Sequence, residues 1–468
     1  MRGQNKKAFI GREYKPVWDP KKKEIVRLNL STQDPLFLDF TRKQHTFIVA
    51  RSGGGKSYLA GVYAEELSRR VENYGVVMLD PMGIFATMNH ANPEGDEFAA
   101  WNAETRDNLA GSPMACQVWV PEGDAKHFQG LGERFRTFAL EAPEFSAGTL
   151  CYAFDMKILD PQVNLYRKAQ EHLLKTRGGT YTLEELIELV RLSGAEYHFQ
   201  PQTVEALVTK LEALHELGII SREGIPINEA VREGRVSVFD LSMSGSYTAK
   251  IIVNFFAEKL LWVRKRVTRL VTRARVTETQ VEKPAWYIPP VQLVIDEAHN
   301  YLPRNHVLQK CIKEGRNCGV MITAISQSPD LTRDLYANIT HLFVGAQVFD
   351  GDIAAVKAMI PVERSPKEFR KQIKSLTTGC FWYYNIDKKI EKRVRVRPRY
   401  TLHPASTELT DERKFFRGTR GCREVKREEE RTGQERKRGL ILQGDGTIID
   451  PNPGLVSRPA GIELQVTK

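Results

Sequence analysis

Closely spaced cysteine pairs and long apolar runs are both missing from this sequence of 468 residues. The six cysteines are scattered and none of them form a C-x-x-C pair, which argues against a zinc site and a disulfide framework. The longest apolar runs reach about half of the ~20 residues that a membrane helix needs. The first ten residues lack the apolar core of a signal peptide. We therefore expect reduced thiols, no membrane insertion and a cytoplasmic location.

The net charge of the chain indicates which class of partner it could bind. The chain has 69 basic and 58 acidic residues, a formal net charge of +11 and a pI near 9.2. A basic balance of this kind favours a polyanionic partner through counterion release. The alternative is a basic soluble protein without such a partner. Hydrophobic residues make up 41% of the chain, which is typical of a globular protein and leaves room for two or three domains.

A glycine-rich stretch between residues 44 and 58 carries the strongest motif. The apolar run 45–50 predicts a buried strand, three glycines follow, and Lys56 and Ser57 precede a helical pattern. Glycines allow successive N–H groups to turn towards one anion, a lysine reaches terminal phosphates, and a serine hydroxyl is a ligand for Mg²⁺. The pattern is a Walker A phosphate loop with Ala50 in place of its first glycine. The residues predicted to bind ATP are Arg51, Ser52, Gly53, Gly54, Gly55, Lys56, Ser57 and Tyr58.

Acidic and amide side chains end two later strands. Asp296 and Glu297 follow the apolar run 291–295, and Gln327 follows the run 319–326. Ligands bind at the carboxyl ends of strands in open α/β sheets, so these tips should meet the phosphate loop. Asp296 is predicted to hold Mg²⁺ together with Ser57, and Glu297 to polarise the attacking water. Gln327 is predicted to sense the γ-phosphate, with capping of the following turn as the alternative.

Two further charged residues are candidates for the same site. Arg316 lies between the apolar runs 291–295 and 319–326. If the protein forms a ring, this arginine could reach the nucleotide of a neighbouring subunit. Arginines supplied in this way accelerate characterised NTPases by roughly 10³–10⁵-fold. An intramolecular salt bridge is the competing interpretation. Asp80 ends the strand 75–80 and is predicted to support the metal from behind.

Apolar periodicity predicts an α/β fold with a mostly parallel sheet. Thr182-Leu-Glu-Glu is a capping box that starts one amphipathic helix, and a second starts near Pro201. We interpret this pair as a plain helical insertion, with a winged-helix DNA reader as the alternative. Residues 246–272 form a long helix whose basic part is either a solvated face or a surface for DNA or a subunit. Residues 381–384 and 393–397 are expected to close the edge of the sheet. Five segments result: a short β-rich N-terminal segment (1–44), the first half of an ATPase core (45–123), a helical insertion (124–233), the second core half (234–400), and a charged, partly disordered tail (401–468).

The order of these motifs resembles the HerA/FtsK superfamily of hexameric DNA-pumping ATPases, and most closely its HerA branch. The resemblance covers about residues 36–400, and its more specific part is Asp-Glu-Ala-His at 296–299, Gly-Arg at 315–316 and Ser-Gln at 326–327. It implies a RecA-like core, a hexameric ring, double-stranded DNA in a central channel and ATP-driven translocation. It also implies that Lys56 and Ser57 bind phosphate and Mg²⁺, that Asp296 and Glu297 form the Walker B pair, and that Gln327 and Arg316 are sensor and trans finger.

Other functions of such an ATPase stay open at this point. The N-terminal segment is shorter than the β-barrel domain that HerA proteins usually carry and that serves nuclease docking. A regulatory or scaffold ATPase that organises a nuclease or another effector is therefore one alternative. A DNA-packaging or conjugation motor is another, and it would need a separate membrane anchor.

Overall fold

The computed structural model describes residues 7–19, 24–40, 42–129, 134–303, 305–360 and 365–404, together with the pairs 441–442 and 448–449. The chain divides into two compact units, Met1–Pro404 and Ala405–Lys468. In the second unit, the short strands Ile441–Leu442 and Ile448–Ile449 pair antiparallel. Apart from residues 401–404, 441–442 and 448–449, the predicted charged tail (401–468) lies outside the described residues.

Strands and helices of the first unit alternate along most of its length. The strands are β1 Lys7–Asp19, β2 Glu24–Asp39, β3 His45–Val49, β4 Gly75–Asp80, β5 Cys116–Pro121, β6 Phe135–Phe138, β7 Leu140–Glu141, β8 Ile220–Ser221, β9 Val236–Asp240, β10 Val291–Ile295, β11 Val320–Ser326, β12 Ile339–Val344, β13 Cys380–Asn385 and β14 Ile390–Val396. The helices are α1 Lys56–Arg70, α2 Gly95–Thr105, α3 Ala125–Phe128, α4 Ala147–Ala153, α5 Pro161–Thr176, α6 Leu183–Glu196, α7 Pro201–Glu216, α8 Ile227–Ala230, α9 Ser246–Val276, α10 His306–Cys318, α11 Arg333–Asn338, α12 Asp350–Met359 and α13 Pro366–Lys374.

One 12-stranded sheet organises these elements, in the order β2-β1-β14-β13-β12-β3-β11-β10-β4-β9-β5-β6. The run from β12 to β6 is parallel throughout, and the other four strands add to it antiparallel. The predicted α/β fold with a mostly parallel sheet is confirmed. Parallel strands buried on both faces consist of continuous apolar runs, which is why β3, β4, β10 and β11 were recognisable in the sequence.

The edge of the sheet differs from the prediction. Strands β13 and β14 were expected to close it, but β14 is covered in turn by β1, and β1 by β2. The long β1–β2 hairpin therefore forms the edge. Its apolar residues alternate with polar ones, and that pattern does not show which strand they pair with.

Helices cover both faces of the sheet. Helix α1 packs through Leu59, Tyr63 and Leu67 against one face, and α9 packs through Phe256 and Leu260 against the other. The periodicity of apolar residues predicts both helices, because each must present one stripe to the sheet. The capping box of α6 is also present: the N–H of Thr182 donates to the Glu185 carboxylate (2.8 Å), and the N–H of Glu185 donates to the Thr182 hydroxyl (3.3 Å).

A segment that follows β14 holds α1 in place through ion pairs and hydrogen bonds. This segment, residues 397–401, is called the strap. The guanidinium of Arg397 lies 2.9 Å from carboxylate oxygens of both Glu65 and Glu66, and all three side chains are fully buried. The N–H and hydroxyl of Thr401 also donate to Glu65, at 2.9 and 2.7 Å. Charges buried in this way are tolerated only when they are paired and hydrogen-bonded, so the strap and α1 depend on one another.

Candidate ATP-binding and hydrolysis site

The loop between β3 and α1 has the backbone of an anion cradle. Gly53 (φ 70°) and Gly55 (φ 89°) adopt the left-handed conformation that favours glycine. A Cβ on Gly54 would lie 2.8 Å from the Cβ of Ala50, so this position also requires glycine. The loop leads directly into the N-terminus of α1, where unpaired N–H groups and the helix dipole favour a phosphate.

Ala50, the departure from the Walker A pattern, is accommodated by glycines on both sides. Its side chain is fully buried between the loop and β12. A Cβ on Gly345, which follows β12, would lie 2.6 Å from the Ala50 Cβ, and Gly54 leaves similar room on the loop side. The methyl group therefore fills space that two glycines leave open, and it does not enter the cradle.

The turn before β13 supports the loop, and sequence reasoning missed this. The hydroxyl of Thr378 donates to the carbonyl of Gly53 (3.1 Å), and the N–H of Gly379 donates to the carbonyl of Gly54 (3.3 Å). Arg395 of β14 donates in turn to the carbonyl of Thr378. These bonds turn the loop carbonyls away from the cradle and leave its N–H groups for the ligand. The only available signal was the Thr-Thr-Gly turn at 377–379, whose Thr378 is 325 positions away from Gly53.

Lys56, Ser57 and Asp296 come together below the cradle. The Ser57 hydroxyl lies 3.4 Å from the Asp296 carboxylate, and the Lys56 ammonium donates to the carbonyl of Arg51 at 3.1 Å. Burial raises the pKa of Asp296 to about 6, against the effect of the Glu297 N–H that it accepts. Burial also lowers the pKa of Lys56, while the charges of Glu297 and Asp296 act in the opposite direction. A cation would supply a counter-charge for Asp296, and a phosphate would supply one for Lys56.

Glu297 and Gln327 meet at the mouth of the site. The Gln327 amide donates to both carboxylate oxygens of Glu297, at 3.1 and 3.4 Å, and His299 lies 3.3 Å from the same carboxylate. Glu297 has φ 48°, an uncommon conformation for a residue with a side chain. This backbone turn directs the two neighbouring acids apart, with Asp296 buried and Glu297 half-buried. The contact with His299 was not anticipated, although the Asp-Glu-Ala-His motif contains it.

Three carboxylates line the tips of neighbouring strands. Asp80 and Asp240 are paired in register, and Asp296 occupies the adjoining strand tip. Burial raises the pKa of Asp80 to about 7, and the charges of Asp240 and Asp296 contribute to the increase, whereas N–H donation from Phe85 (2.7 Å) opposes it. The structure thus places Asp80 beside the site. Asp240 was missed, although it ends the apolar run 236–240 in the same way.

Arg316 and the Tyr58 side chain lie outside this cluster. Arg316 is on α10, close enough to His45 for its charge to help lower the pKa of that imidazole, whose burial is the larger cause. His45 is the first residue of β3, and the phosphate loop follows the last residue of that strand. Arg316 therefore lies at the end of β3 that is opposite to the loop. The Tyr58 hydroxyl donates to Glu97 (3.0 Å) and accepts from the Arg399 N–H (2.7 Å), which leaves its main chain for the predicted nucleotide contact.

The donor set at Ser57 and Asp296 fits Mg²⁺. Both groups are oxygen donors, which this ion prefers, and Mg²⁺ normally combines one or two carboxylates with phosphate oxygens and water. Asp296 is almost fully buried, and its pKa is raised, so a cation beside it would relieve an unfavourable charge.

Part of this chain resembles a described protein family and two known proteins. Residues 28–260 match the profile of the family described as "Helicase HerA, central domain". One similar protein is the probable DNA double-strand break repair helicase HerA of Methanocaldococcus jannaschii, with 23% identity over 64% of this chain and 62% of the relative. A probable helicase of the same organism is 22% identical over 40% of this chain and 35% of its own length. The chain thus spans about three fifths and about one third of these two relatives.

A solved structure supports the same fold. The bacterial conjugative coupling protein TrwBΔN70 superimposes with a TM-score of 0.51 and 13% identity, covering 86% of this chain and 98% of that one. At this identity the likeness concerns the arrangement of strands and helices. Within the described part of the chain, none of the helices has the length and apolar character required to cross a membrane.

Proposed function

The chain is a P-loop ATPase of the HerA/FtsK superfamily, and we propose that it is a ring-forming motor that uses ATP and Mg²⁺ to move double-stranded DNA. The observation that carries the proposal is the meeting of Ser57 and Asp296 (3.4 Å) beside the Glu297–Gln327 pair (3.1 Å) at the mouth of the phosphate loop. The basic charge of +11 supports a DNA partner.

The residues of this chain have distinct tasks in the proposed hydrolysis. The N–H groups of residues 53–57 and the ammonium of Lys56 hold the phosphates, and Ser57 and Asp296 would hold Mg²⁺. Mg²⁺, when bound, neutralises charge on the phosphate oxygens. Glu297 orients the attacking water and draws its proton, and Gln327 changes partner between Glu297 and the γ-phosphate. A phosphoryl transfer of this type depends mainly on positioning and electrostatics.

Two substitutions test the catalytic assignment. Glu297→Gln should reduce the rate of ATP hydrolysis by about 100-fold or more, since a positioned general base contributes roughly 10²–10⁴. It should leave ATP binding intact, because the Glu297 side chain lies beyond the cradle. Lys56→Ala should weaken ATP binding itself. Phosphate release and binding of a fluorescent ATP analogue measure the two effects, and unchanged hydrolysis in both variants would refute the assignment.

Arg316 provides a test of the ring. Because Arg316 lies at the end of β3 that is opposite to the phosphate loop of its own subunit, we propose that it completes the site of a neighbouring subunit. Arg316→Ala and Glu297→Gln should each be inactive alone, whereas a mixture should recover activity at interfaces that combine an intact Glu297 with an intact Arg316. The control mixes Glu297→Gln with the double variant, which offers no complete interface. Recovery in the control, or none in the first mixture, contradicts the trans role.

Movement along DNA is a separate question from hydrolysis. A motor should show DNA-stimulated ATP turnover and should displace a protein roadblock from one end of a duplex. A scaffold ATPase would assemble with its nuclease or effector in a nucleotide-dependent manner without displacing the roadblock. Mass measurement with an ATP analogue and duplex DNA gives the number of subunits, for which we propose six. The Glu297→Gln variant is the control for displacement.

A further inference from the structure

The second half of α9 carries an unusual distribution of charge. Residues 259–277 contain seven arginines and lysines and no aspartate or glutamate. After Val267 none of the helix residues are buried, so about two and a half turns lie on the surface. A helix end of this kind gains little from packing, and its composition needs another explanation.

Three of the seven basic residues are used inside the fold. Arg264 is buried and donates to the carbonyls of Ile288 (2.7 Å) and Cys318 (2.9 Å). Lys265 pairs with Glu314, and Lys259 pairs with Glu144. These contacts tie α9 to its neighbours and account for part of the charge.

Three of the remaining basic residues lie in a row with an exposed tryptophan. Trp262, Arg266, Arg269 and Arg273 follow one another at intervals of four, three and four residues, which places them on a single face of the helix. This set is called the α9 stripe. It extends for about 16 Å along the helix axis at roughly 1.5 Å per residue. Among the residues that the structure describes, none of its three arginines has an acidic partner.

The first arginine of the stripe is held flat between two indoles. The guanidinium carbon of Arg266 lies 4.6 Å from the ring centre of Trp262 and 4.1 Å from that of Trp286. Trp262 is 57% exposed, so a large part of its apolar surface remains in contact with solvent. Stacking fixes the plane of the guanidinium while its N–H edge stays available, so less side-chain freedom is lost when an anion binds.

The helix dipole explains only part of this arrangement. Cations stabilise the last turn of a helix, which accounts for Arg273 and Arg275. Arg266 and Arg269 lie earlier, beyond the range of that effect. A contact with a neighbouring subunit of the proposed ring is the other possible use of this face, and it is one of the outcomes that the binding test below distinguishes. A regularly spaced row of arginines that have no ion-pair partner among the described residues matches a regularly spaced row of phosphates.

We infer that the α9 stripe contacts the phosphate backbone of double-stranded DNA. The inference rests on the proposed function and adds to it a specific surface outside the ATP site. Arginine forks bind phosphates in a bidentate manner and carry no sequence preference. The contact should therefore strengthen binding to every duplex equally and should weaken steeply with salt.

The test measures how duplex binding depends on salt. The full chain, with a non-hydrolysable ATP analogue and Mg²⁺, is titrated with a short fluorescent duplex at several salt concentrations. Each phosphate contact contributes about 0.9 to the slope of log K against log salt, so the variant R266Q/R269Q/R273Q should lose roughly two to three units of slope. Glutamine retains helix propensity, and the melting temperature verifies that the variant is folded.

A matched control separates the stripe from net charge. The variant K157Q/K175Q/R222Q removes the same three charges from exposed positions elsewhere on the surface. It should keep the slope of the unmodified protein within one unit. An equal loss of slope in both variants overturns the inference, because net charge alone would then account for the binding.

The remaining outcomes distinguish the inference from the proposed function. If the unmodified protein binds no duplex under any condition, the proposed function fails. If it binds and the stripe variant retains the full slope, the stripe is not a DNA surface and only the inference fails. A photoreactive label on the thiol introduced by Arg269→Cys should also crosslink to the duplex, and the same label on the thiol introduced by Lys175→Cys should not.

Discussion

Replacing Arg397 should destabilise the protein more than almost any surface change, because it would remove the buried cation that Glu65 and Glu66 share. The guanidinium contacts Glu65 and Glu66 at 2.9 Å, and the three side chains are inaccessible to solvent. In Arg397→Met the methionine fills much of the volume, but Glu65 keeps only the more distant Arg399 (3.8 Å) and Glu66 keeps only Arg70. Breaking a buried pair from one side costs about 3–5 kcal/mol, so we expect a loss of unfolding free energy in that range.

The same carboxylate offers a matched control. Arg70 also pairs with the buried Glu66, at 2.8 Å, but its own side chain is 47% exposed, so solvent screens this pair more than it screens the Arg397 pairs. Arg70→Met should therefore cost far less than Arg397→Met in urea unfolding followed by circular dichroism. Adding Glu66→Gln to Arg397→Met should recover part of the lost unfolding free energy, because it removes one of the two buried negative charges that Arg397 had balanced. The reasoning is refuted if the two methionine variants are equally stable.

Four smaller changes test other parts of the site. Burial raises the pKa of Asp80 from 3.8 to about 7, so its folded form retains a proton that the unfolded chain has lost; unfolding free energy should fall as pH rises between those values, and Asp80→Asn should flatten that fall in urea titrations. Gly345→Ala should weaken ATP binding by crowding the Ala50 methyl group, and a second change, Ala50→Gly, should restore part of it in a nucleotide-binding assay. Thr378→Val should raise the KM for ATP more than it lowers kcat, because it releases the Gly53 carbonyl without touching Glu297; a pure kcat effect would contradict this. Gln327→Ala should lower kcat while ATP affinity is retained, as measured by steady-state kinetics and analogue binding.

The parts of the structure that were predictable depend on local patterns. A buried parallel strand is a continuous apolar run, and the residue after it lies at the ligand-binding edge, so Asp296 and Gln327 could be placed before any coordinates were known. The glycines of the phosphate loop need no distant partner to be recognised. The capping box at Thr182 is equally local, since its two hydrogen bonds join residues three apart.

The parts that were not predictable depend on partners far away in the sequence. The alternation in β1 and β2 indicates strands but not that they cover β14, so the sheet edge was assigned wrongly. The turn at Thr378 supports the phosphate loop from 325 residues away. Arg397 continues an alternation of arginines that begins at Arg393, and the pattern predicts an exposed side chain. It is buried because β14 ends at Val396 and the chain then turns towards α1.

The strap also has a consequence for the order of events during synthesis. Glu66 and its partner Arg397 are 331 positions apart, so the helix behind the phosphate loop remains without its buried counter-charge until most of the first unit has been made. At roughly 5–20 residues per second, that interval lasts from about a quarter of a minute to about a minute. During it, α1 would carry two acids destined for the interior but still requiring water. The nascent chain should therefore gain tight ATP binding late, close to the point at which the strap leaves the ribosome.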